Sequence, residues 1–477
     1  MNNKTFEELN SIITSVDSYK VSHWSQYPTG SEEALFYIES RGGKFDQVVT
    51  AGCNRLAQIL SHPVTMENVD FANRLYKMHF GREIFNYKGW KEIAELGYIP
   101  LEFRAIPEGT PVAVKNPVAT FHAGKNALWL AGHVETLAIR GVWFPSTVAT
   151  LSRECKKVLK KYLKKTSDLE GEAFDMVLRT RLHDFGARGT SSAESAGIGG
   201  LAHLYNFLGT DTVEALIMAI SLFEDCQKAF DDGEMAAGIS IPAREHSTTV
   251  SYGKENEDLA YKNSIEIFGE GMYACVYDSW DFKAAVRRIA EYKDSILSKG
   301  GTLVVRPDSG DMVDNIMYAL EELGRIFGYT VNSKGYKVLH PAVRIIQGDE
   351  IHGPETINRV LNWMESNRWA SENIAFGMGG GLLQEVTRDT QKYAMKMCAI
   401  KINGVWTGVY KCPKGAEWKK SKKGLLMTIT DGVNFKPIDT LEQKVPEGWK
   451  DAMITYYVNG KITARDTLEE IRNRAGI

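Results

Sequence analysis

Four short apolar runs in the second half of the chain constrain its fold more than any other feature. Residues 273–277 (YACVY) lead into Asp278-Ser279-Trp280-Asp281, and residues 302–305 (TLVV) into Arg306-Pro307-Asp308-Ser309-Gly310. Residues 343–346 (VRII) lead into Gln347-Gly348-Asp349, and residues 373–376 (NIAF) into Gly377-Met378-Gly379-Gly380-Gly381. A stretch of helical character follows each run, and the spacing of roughly 30–40 residues is that of a strand–loop–helix unit. A strand that is apolar along its whole length has both faces covered, which predicts a parallel sheet flanked by helices. Repeats of this unit without a dinucleotide fingerprint predict a barrel rather than a doubly wound sheet. Barrel enzymes keep their chemistry at the C-terminal ends of the strands. One polar turn after a strand is ordinary turn chemistry; four in succession predict a site.

The 477 residues exceed one ordinary core, so a second domain is expected. The N-terminal third reads as mixed: a strand over 33–40, helices over 66–82 and 88–97, and a hairpin over 111–122 turning at Lys115-Asn116-Pro117. A long helix is expected to start at Ser146 as N-cap and run through KKVLKKYLKK, whose lysines form a solvated face. After residue 400 come a basic loop at 410–424, a strand over 452–458 and a helix over 467–474. This tail is expected to rejoin the N-terminal segment in a smaller α+β domain.

Hydrophobic residues make up 43% and charged residues 25%, an ordinary globular balance. The formal net charge of −3 offers no global basic field for nucleic acid, so an anionic substrate must be met by a local cluster. The six cysteines are scattered with no Cys-x-x-Cys pair, which predicts reduced thiols rather than disulfides or zinc. The polar N-terminus is unlike a signal peptide, and no apolar run approaches the roughly 18 residues of a membrane helix. The expectation is a soluble cytoplasmic protein with neither nucleic acid nor membrane as partner.

No Walker loop or G-x-G-x-x-G occurs, although Gly377-Met378-Gly379-Gly380-Gly381 comes near the latter. Its glycines suit backbone N–H groups facing a phosphate, with Arg388 adding a charged fork, though a tight turn is the more frequent reading of such glycines. Arg306 suits a phosphate and Asp308 a ribose hydroxyl or magnesium; Gly348-Asp349 repeats the theme. The carboxylates of Asp278, Asp281, Asp308 and Asp349 together suit a polyhydroxylated, phosphorylated, magnesium-bound substrate. Within His183-Asp184-Phe185-Gly186, Phe185 reads as a core residue or a ring stacker, with Arg188 beside it for an anion. His246, in Arg244-Glu245-His246-Ser247-Thr248, reads as a structural hydrogen-bonder, a base or a phosphate acceptor. Asp211 precedes a helix expected from Thr212 and is equally a cap or a ligand.

These blocks, in this order over some 400 residues, resemble the nicotinamide phosphoribosyltransferases, a type II phosphoribosyltransferase family. The resemblance also runs through Asp17-Ser18-Tyr19-Lys20-Val21, Ala196-Gly197-Ile198-Gly199, Gly209-Thr210-Asp211-Thr212-Val213 and Ser421-Lys422-Lys423-Gly424. It implies an irregular parallel α/β barrel at 123–399 and a smaller α+β domain from 35–122 and 400–477. It also implies that segment 1–34 completes the partner's active site in a homodimer. The implied reaction moves phosphoribose from 5-phosphoribosyl 1-pyrophosphate to nicotinamide with magnesium, and is stimulated by ATP through a phosphorylated histidine. By the same resemblance, Phe185 and the partner's Tyr19 sandwich the ring, Asp211 accepts the carboxamide N–H, and Asp17 and Arg188 lie beside them. Arg306, Asp308, Gly348, Asp349, Gly379, Gly380 and Arg388 hold ribose and phosphate. Arg41, Lys396, Lys411 and Lys419 face pyrophosphate. His246 matches the phosphorylated histidine, Asp281 the carboxylate bonded to it, and Asp308 is grouped with them.

Three residues depart from the family pattern beside the expected site: Arg244 for alanine, Tyr277 for serine and Met378 for serine. Asp211 separates the family's reading from its neighbour, nicotinate phosphoribosyltransferase, whose acid substrate calls for a cation there. A binding protein that has lost catalysis would not need Arg306, Asp308, Asp349, Arg388 and His246 together; for a generic barrel phosphatase or aldolase, no lysine at a clear strand end supports the Schiff-base version.

Overall fold

A computed structural model describes residues 4–124, 127–415 and 420–476. The chain divides into two compact units. One comprises Met1–Thr150, Leu222–Glu224 and Thr387–Ala475; the other comprises Leu151–Ser221, Asp225–Val386 and Gly476–Ile477.

The second unit contains a six-stranded sheet in which every pairing is parallel. Its strands, in chain order, are β1 (Leu182–Asp184), β2 (Ala243–Arg244), β3 (Met272–Val276), β4 (Thr302–Arg306), β5 (Val343–Gln347) and β6 (Ile374–Met378). Their spatial order is β1-β6-β5-β4-β3-β2. The four apolar runs are β3 to β6, and their registers, such as Val343 opposite Leu303 and Ile345 opposite Ile374, bury them as expected.

Two isolated parallel bridges close the ring, Asp184 to Thr210 and Gly209 to Ile239, because residue 239 leads straight into β2. The result is the irregular barrel anticipated from the sequence. The helix after β3, Phe282–Lys299, buries Phe282, Ala285, Val286, Ile289, Tyr292 and Ile296 at helical spacing. Each large apolar side chain so buried contributes roughly 1.5–3 kcal/mol. At the ring's centre Ala274, Val304 and Ile346 form a small apolar floor with Phe185, Ile241 and Ala375 against it.

The first unit is built on a seven-stranded antiparallel sheet whose middle strands are Tyr393–Ile402, Ser31–Ser40, Pro117–Gly124, Glu102–Ala105 and Ile454–Val458. The strand and helices expected near 33–40, 66–82 and 88–97 are Ser31–Ser40, Met66–Phe80 and Tyr87–Leu96. The C-terminal strand and helix are Ile454–Val458 and Leu468–Ala475.

Two local expectations fail here. Residues 111–122 do not form a hairpin: Pro111–Ala113 pairs with Gln47–Val49, while Pro117–Gly124 pairs with Ser31–Ser40 and Glu102–Ala105. The Lys115 N–H, at φ +68°, is taken by the Ser40 carbonyl, which turns the chain from one sheet into another. The long helix does not start at Ser146 but spans Glu135–Thr166 with Pro145 inside it. The Ser146 hydroxyl is occupied by the Ala51 backbone instead of capping. Proline at 145 removes the N–H that the Gly141 carbonyl would otherwise receive. Gly52, at φ +88°, packs so close to that carbonyl that a Cβ would stand 2.0 Å from its oxygen.

Candidate active site

The site is assembled from the C-terminal ends of the parallel strands. At the end of β1, Asp184 is fully buried, and burial pushes its carboxyl above the usual range. Its Oδ1 accepts the Gly186 N–H at 2.7 Å, and its backbone carbonyl accepts the Asp211 N–H at 2.9 Å. Asp184 therefore ties the loop carrying Phe185 to the loop carrying Asp211.

Phe185 lies across the ends of β5 and β6. A Cβ on Gly377 would stand 2.1 Å from the ring and one on Gly348 3.6 Å, so both glycines leave space for the aromatic edge. The Gly348 position also borders Asp308 Oδ1 and the Arg306 side chain, which puts ring, guanidinium and carboxylate around one opening. Arg306 and Asp308 make a loose pair at 3.4 Å, and the Arg306 Nε is buried without a hydrogen-bond partner.

Asp211 is more open than a buried carboxylate: its side chain is 46% exposed. Its Oδ1 accepts from His183 Nε2 at 3.0 Å and from the Ser240 hydroxyl. Partial burial pushes this carboxyl up, but the bonds from His183 and Ser240 and the charges of His183 and Arg306 outweigh it and hold it below the usual range. The carboxylate is thus engaged by side chains, while the Thr212 N–H is met by the Thr210 hydroxyl at 3.0 Å.

On the opposite side of the opening, His246 Nε2 stands 2.8 Å from Asp278 Oδ1. Asp278 is the histidine's carboxylate, not Asp281. Asp281 is exposed and caps the helix Phe282–Lys299, accepting the Ala284 N–H at 2.9 Å. The second oxygen of Asp278 accepts the Asp308 N–H at 3.1 Å and the Ser309 hydroxyl at 2.6 Å, linking the β3 and β4 loops. Asp308 Oδ2 lies 3.9 Å from His246 Nδ1. An ionised carboxylate only accepts hydrogen bonds, so Nε2 is the donor to Asp278, and in a neutral imidazole Nδ1 is the nitrogen with the lone pair.

Asp349 and Arg188 are exposed at the same strand ends. Gly379 precedes the single-turn helix Gly380–Leu383, and a Cβ on Gly380 would meet open space. The departures from the family pattern are absorbed by packing. Arg244 bonds Ser264 at 2.7 Å, the Thr248 carbonyl at 2.6 Å and Asn263 at 2.7 Å. Tyr277 is buried and stacked on Tyr261 at 4.2 Å, and Met378 is buried.

The other expected residues belong to the first unit. Tyr19 is 60% exposed, and Asp17 accepts the Thr136 hydroxyl at 2.7 Å. Arg388 is exposed beside Asp389. Arg41 is held by Glu39 at 3.3 Å, and one of its guanidinium nitrogens is buried without a partner. Burial pushes the Lys396 ammonium below its usual range; Glu135 opposes this, while Arg41, Lys411 and Lys20 add to it. Three of the four expected pyrophosphate ligands therefore share one neighbourhood, and Lys419 lies outside the described residues.

A model of the nicotinate phosphoribosyltransferase (NAPRTase) family matches residues 180–453, and one of the nicotinamide phosphoribosyltransferase N-terminal domain matches 11–103. The nicotinamide phosphoribosyltransferase of Xanthomonas campestris pv. campestris is 41% identical over 98% of both chains. The chain belongs to the nicotinamide phosphoribosyltransferase family. The Acinetobacter baylyi member is 30% identical over 97% of this chain and 96% of its own. The nicotinate-nucleotide pyrophosphorylase structure from Pyrococcus furiosus shares the fold, with a TM-score of 0.63 at 15% identity, covering 100% of this chain and 96% of that one.

Sequence reasoning gave no role to His183 or Ser240, the two donors on Asp211. For His183 the signal was position, in the strand end that leads into Phe185; Ser240, on the approach to β2, gave none.

Proposed function

We propose that this chain transfers the phosphoribosyl group of 5-phosphoribosyl 1-pyrophosphate to the ring nitrogen of nicotinamide, releasing pyrophosphate. The observation that carries this reading is Asp211, an ionised, half-open carboxylate beside the His183–Phe185 ring pair, whose centroids are 4.8 Å apart. Such a group accepts a carboxamide N–H and repels the carboxylate of nicotinate. Nicotinate as the preferred substrate would place two anions against each other.

The pyridine nitrogen is already a nucleophile, so no strong base is required. The barrier lies in breaking the bond from C1 to pyrophosphate, which charge stabilisation and positioning lower. Phe185 fixes the ring, and Arg306 and Asp308 hold ribose and phosphate with Gly348, Asp349, Gly379 and Gly380; the cluster of Arg41, Lys396 and Lys411 in the first unit suits a pyrophosphate. Among the described residues no three His, Cys, Asp or Glu side chains converge as a metal cage. Magnesium takes one or two carboxylates together with substrate phosphates. Asp308 and the exposed Asp349 fit, and a bound magnesium would neutralise charge on the departing pyrophosphate.

ATP stimulation enters through His246. With Nε2–H directed at Asp278, Nδ1 is the nitrogen free to take a phosphoryl group, with ADP leaving. A homodimer is supported by the helix Val213–Leu222, an apolar helix that buries only Ala215 and Ala219. The exposed Tyr19 would then serve the partner's ring site. A cytoplasmic setting is supported by cysteines that form no disulfide among the described residues, five of them buried.

The test measures mononucleotide formed from nicotinamide and from nicotinate, with and without ATP. We expect Asp211→Asn to lower the kcat/KM preference for nicotinamide on the order of 10²-fold. An unchanged preference would remove Asp211 from this role. ATP should lower KM for nicotinamide in the native chain but not in His246→Ala; an ATP response that survives in that variant overturns the phosphohistidine.

A further inference from the structure

We infer that Glu39 is a positioning residue for the leaving group: a buried carboxylate that fixes Arg41 directly, and Lys411 through Lys422, in the arrangement that takes a pyrophosphate. This role rests on the reading of the Arg41, Lys396 and Lys411 cluster given above, and every residue in it belongs to the first unit.

Alternation along an extended strand puts Tyr37, Glu39 and Arg41 on one face at the end of Ser31–Ser40. Tyr37 stands opposite Lys396 in the antiparallel ladder, so that lysine shares the face. Glu39 is 2% exposed. Its Oε1 accepts from Arg41 Nε at 3.3 Å and from the Tyr37 hydroxyl at 3.4 Å, and its Oε2 accepts from Lys422 Nζ. Arg41 is thus gripped at the stem of its guanidinium, while Nη2 is buried without a partner. A buried donor left unbonded is costly, and a ligand oxygen would satisfy it.

The same carboxylate reaches Lys411 along the Ser421–Gly424 segment. The Lys422 N–H donates to the Tyr37 hydroxyl at 2.9 Å, so both the backbone and the side chain of Lys422 are tied to this face. Next to it, Ser421 holds Lys411 by two bonds. The Lys411 N–H donates to the Ser421 hydroxyl and the Ser421 N–H to the Lys411 carbonyl, each at 3.0 Å. A carboxylate beside an anion site is a poor choice on charge alone, because it repels the ligand. It makes sense where several cations must be kept together against their own repulsion. Besides burial, Arg41 and Lys411 push the Lys396 ammonium down, a sign of how closely these cations crowd. A second carboxylate, Glu135, is bonded to Lys20 at 2.8 Å and lies 3.9 Å from Lys396. It serves the lysine side of the cluster, and Glu39 serves Arg41 and Lys422.

The experiment measures the Kd of inorganic pyrophosphate with magnesium by calorimetry, together with Tm and KM for nicotinamide, in the native chain and three variants. We expect Glu39→Gln to weaken pyrophosphate about tenfold or more, with KM for nicotinamide within about twofold of native. A counter-charge without a positioning role predicts the opposite sign, since its removal leaves the cluster more positive and tightens pyrophosphate. A role in folding alone predicts a lower Tm with native affinity in the folded protein. Either result overturns the inference. Tyr37→Phe changes no charge and cuts the tie from the Lys422 N–H to the strand; we expect it to weaken pyrophosphate about threefold. It carries the test where Glu39→Gln does not fold, and native affinity in it then overturns the inference. Arg41→Gln tests the reading beneath. If it binds pyrophosphate as the native chain does, the cluster is not the pyrophosphate site; if it binds weakly while Glu39→Gln binds normally, only the role of Glu39 has failed.

Discussion

Phe185 keeps its place because Gly377 and Gly348 present no side chains to it, and this makes the stacking role testable without touching the ring. In Gly377→Ala the new methyl would stand 2.1 Å from the aromatic edge, so the ring must move. Phe185 is only partly buried and can swing outward, which spares the core. We expect KM for nicotinamide to rise roughly tenfold, the value of about one aromatic contact, with Tm nearly unchanged. A KM within twofold of native would show that the substrate does not bind on this face. Single residues were legible from the sequence where type and place coincided, as for Phe185, Arg306 and Asp308 at strand ends. The choice between Asp278 and Asp281 was not. Both follow β3 within five residues, and the start of the next helix at Phe282 decides it. The aspartate just before a helix is drawn to cap it, and the earlier one is left to face the histidine.

At the scale of elements, strands buried on both faces announce themselves, and β3 to β6 were readable for that reason. The 111–122 turn and the start of the long helix were not. Their outcome depends on distant partners, Gln47–Val49 for one and the Ala51 backbone for the other, which no local pattern encodes. Arg244 shows how an odd residue is accommodated at this level. Its three hydrogen bonds tie β2 to the helices His246–Val250 and Glu257–Phe268. We expect Arg244→Ala to lower unfolding free energy by roughly 1–2 kcal/mol, because these bonds are only partly shielded from water. Urea denaturation measures this, and an unchanged midpoint would mean that water replaces the clamp at no cost.

For the whole molecule, the exposed apolar stripe on Val213–Leu222 is the feature that most needs a partner. Val213 and Ile217, one turn apart, are 60% and 62% exposed. If a second copy covers them, Ile217→Glu should shift the protein from dimer to monomer in sedimentation and lower activity with it. Sedimentation indistinguishable from the native chain would place the interface elsewhere. The barrel itself was legible, because repeated strand–loop–helix units leave few alternatives. Its manner of closure was not. A six-stranded parallel sheet becomes a ring only through the short contacts of Asp184 with Thr210 and of Gly209 with Ile239. Thr210 and Ile239 each lie one residue from a group in the Asp211–Ser240 pair. The Asp211–Ser240 pair therefore stands where the ring is closed by single bridges. Opening there breaks a few hydrogen bonds and leaves the longer ladders from β1 round to β3 untouched. If a pyridine is read there, as proposed, a local parting of the wall would admit it without unpairing those ladders.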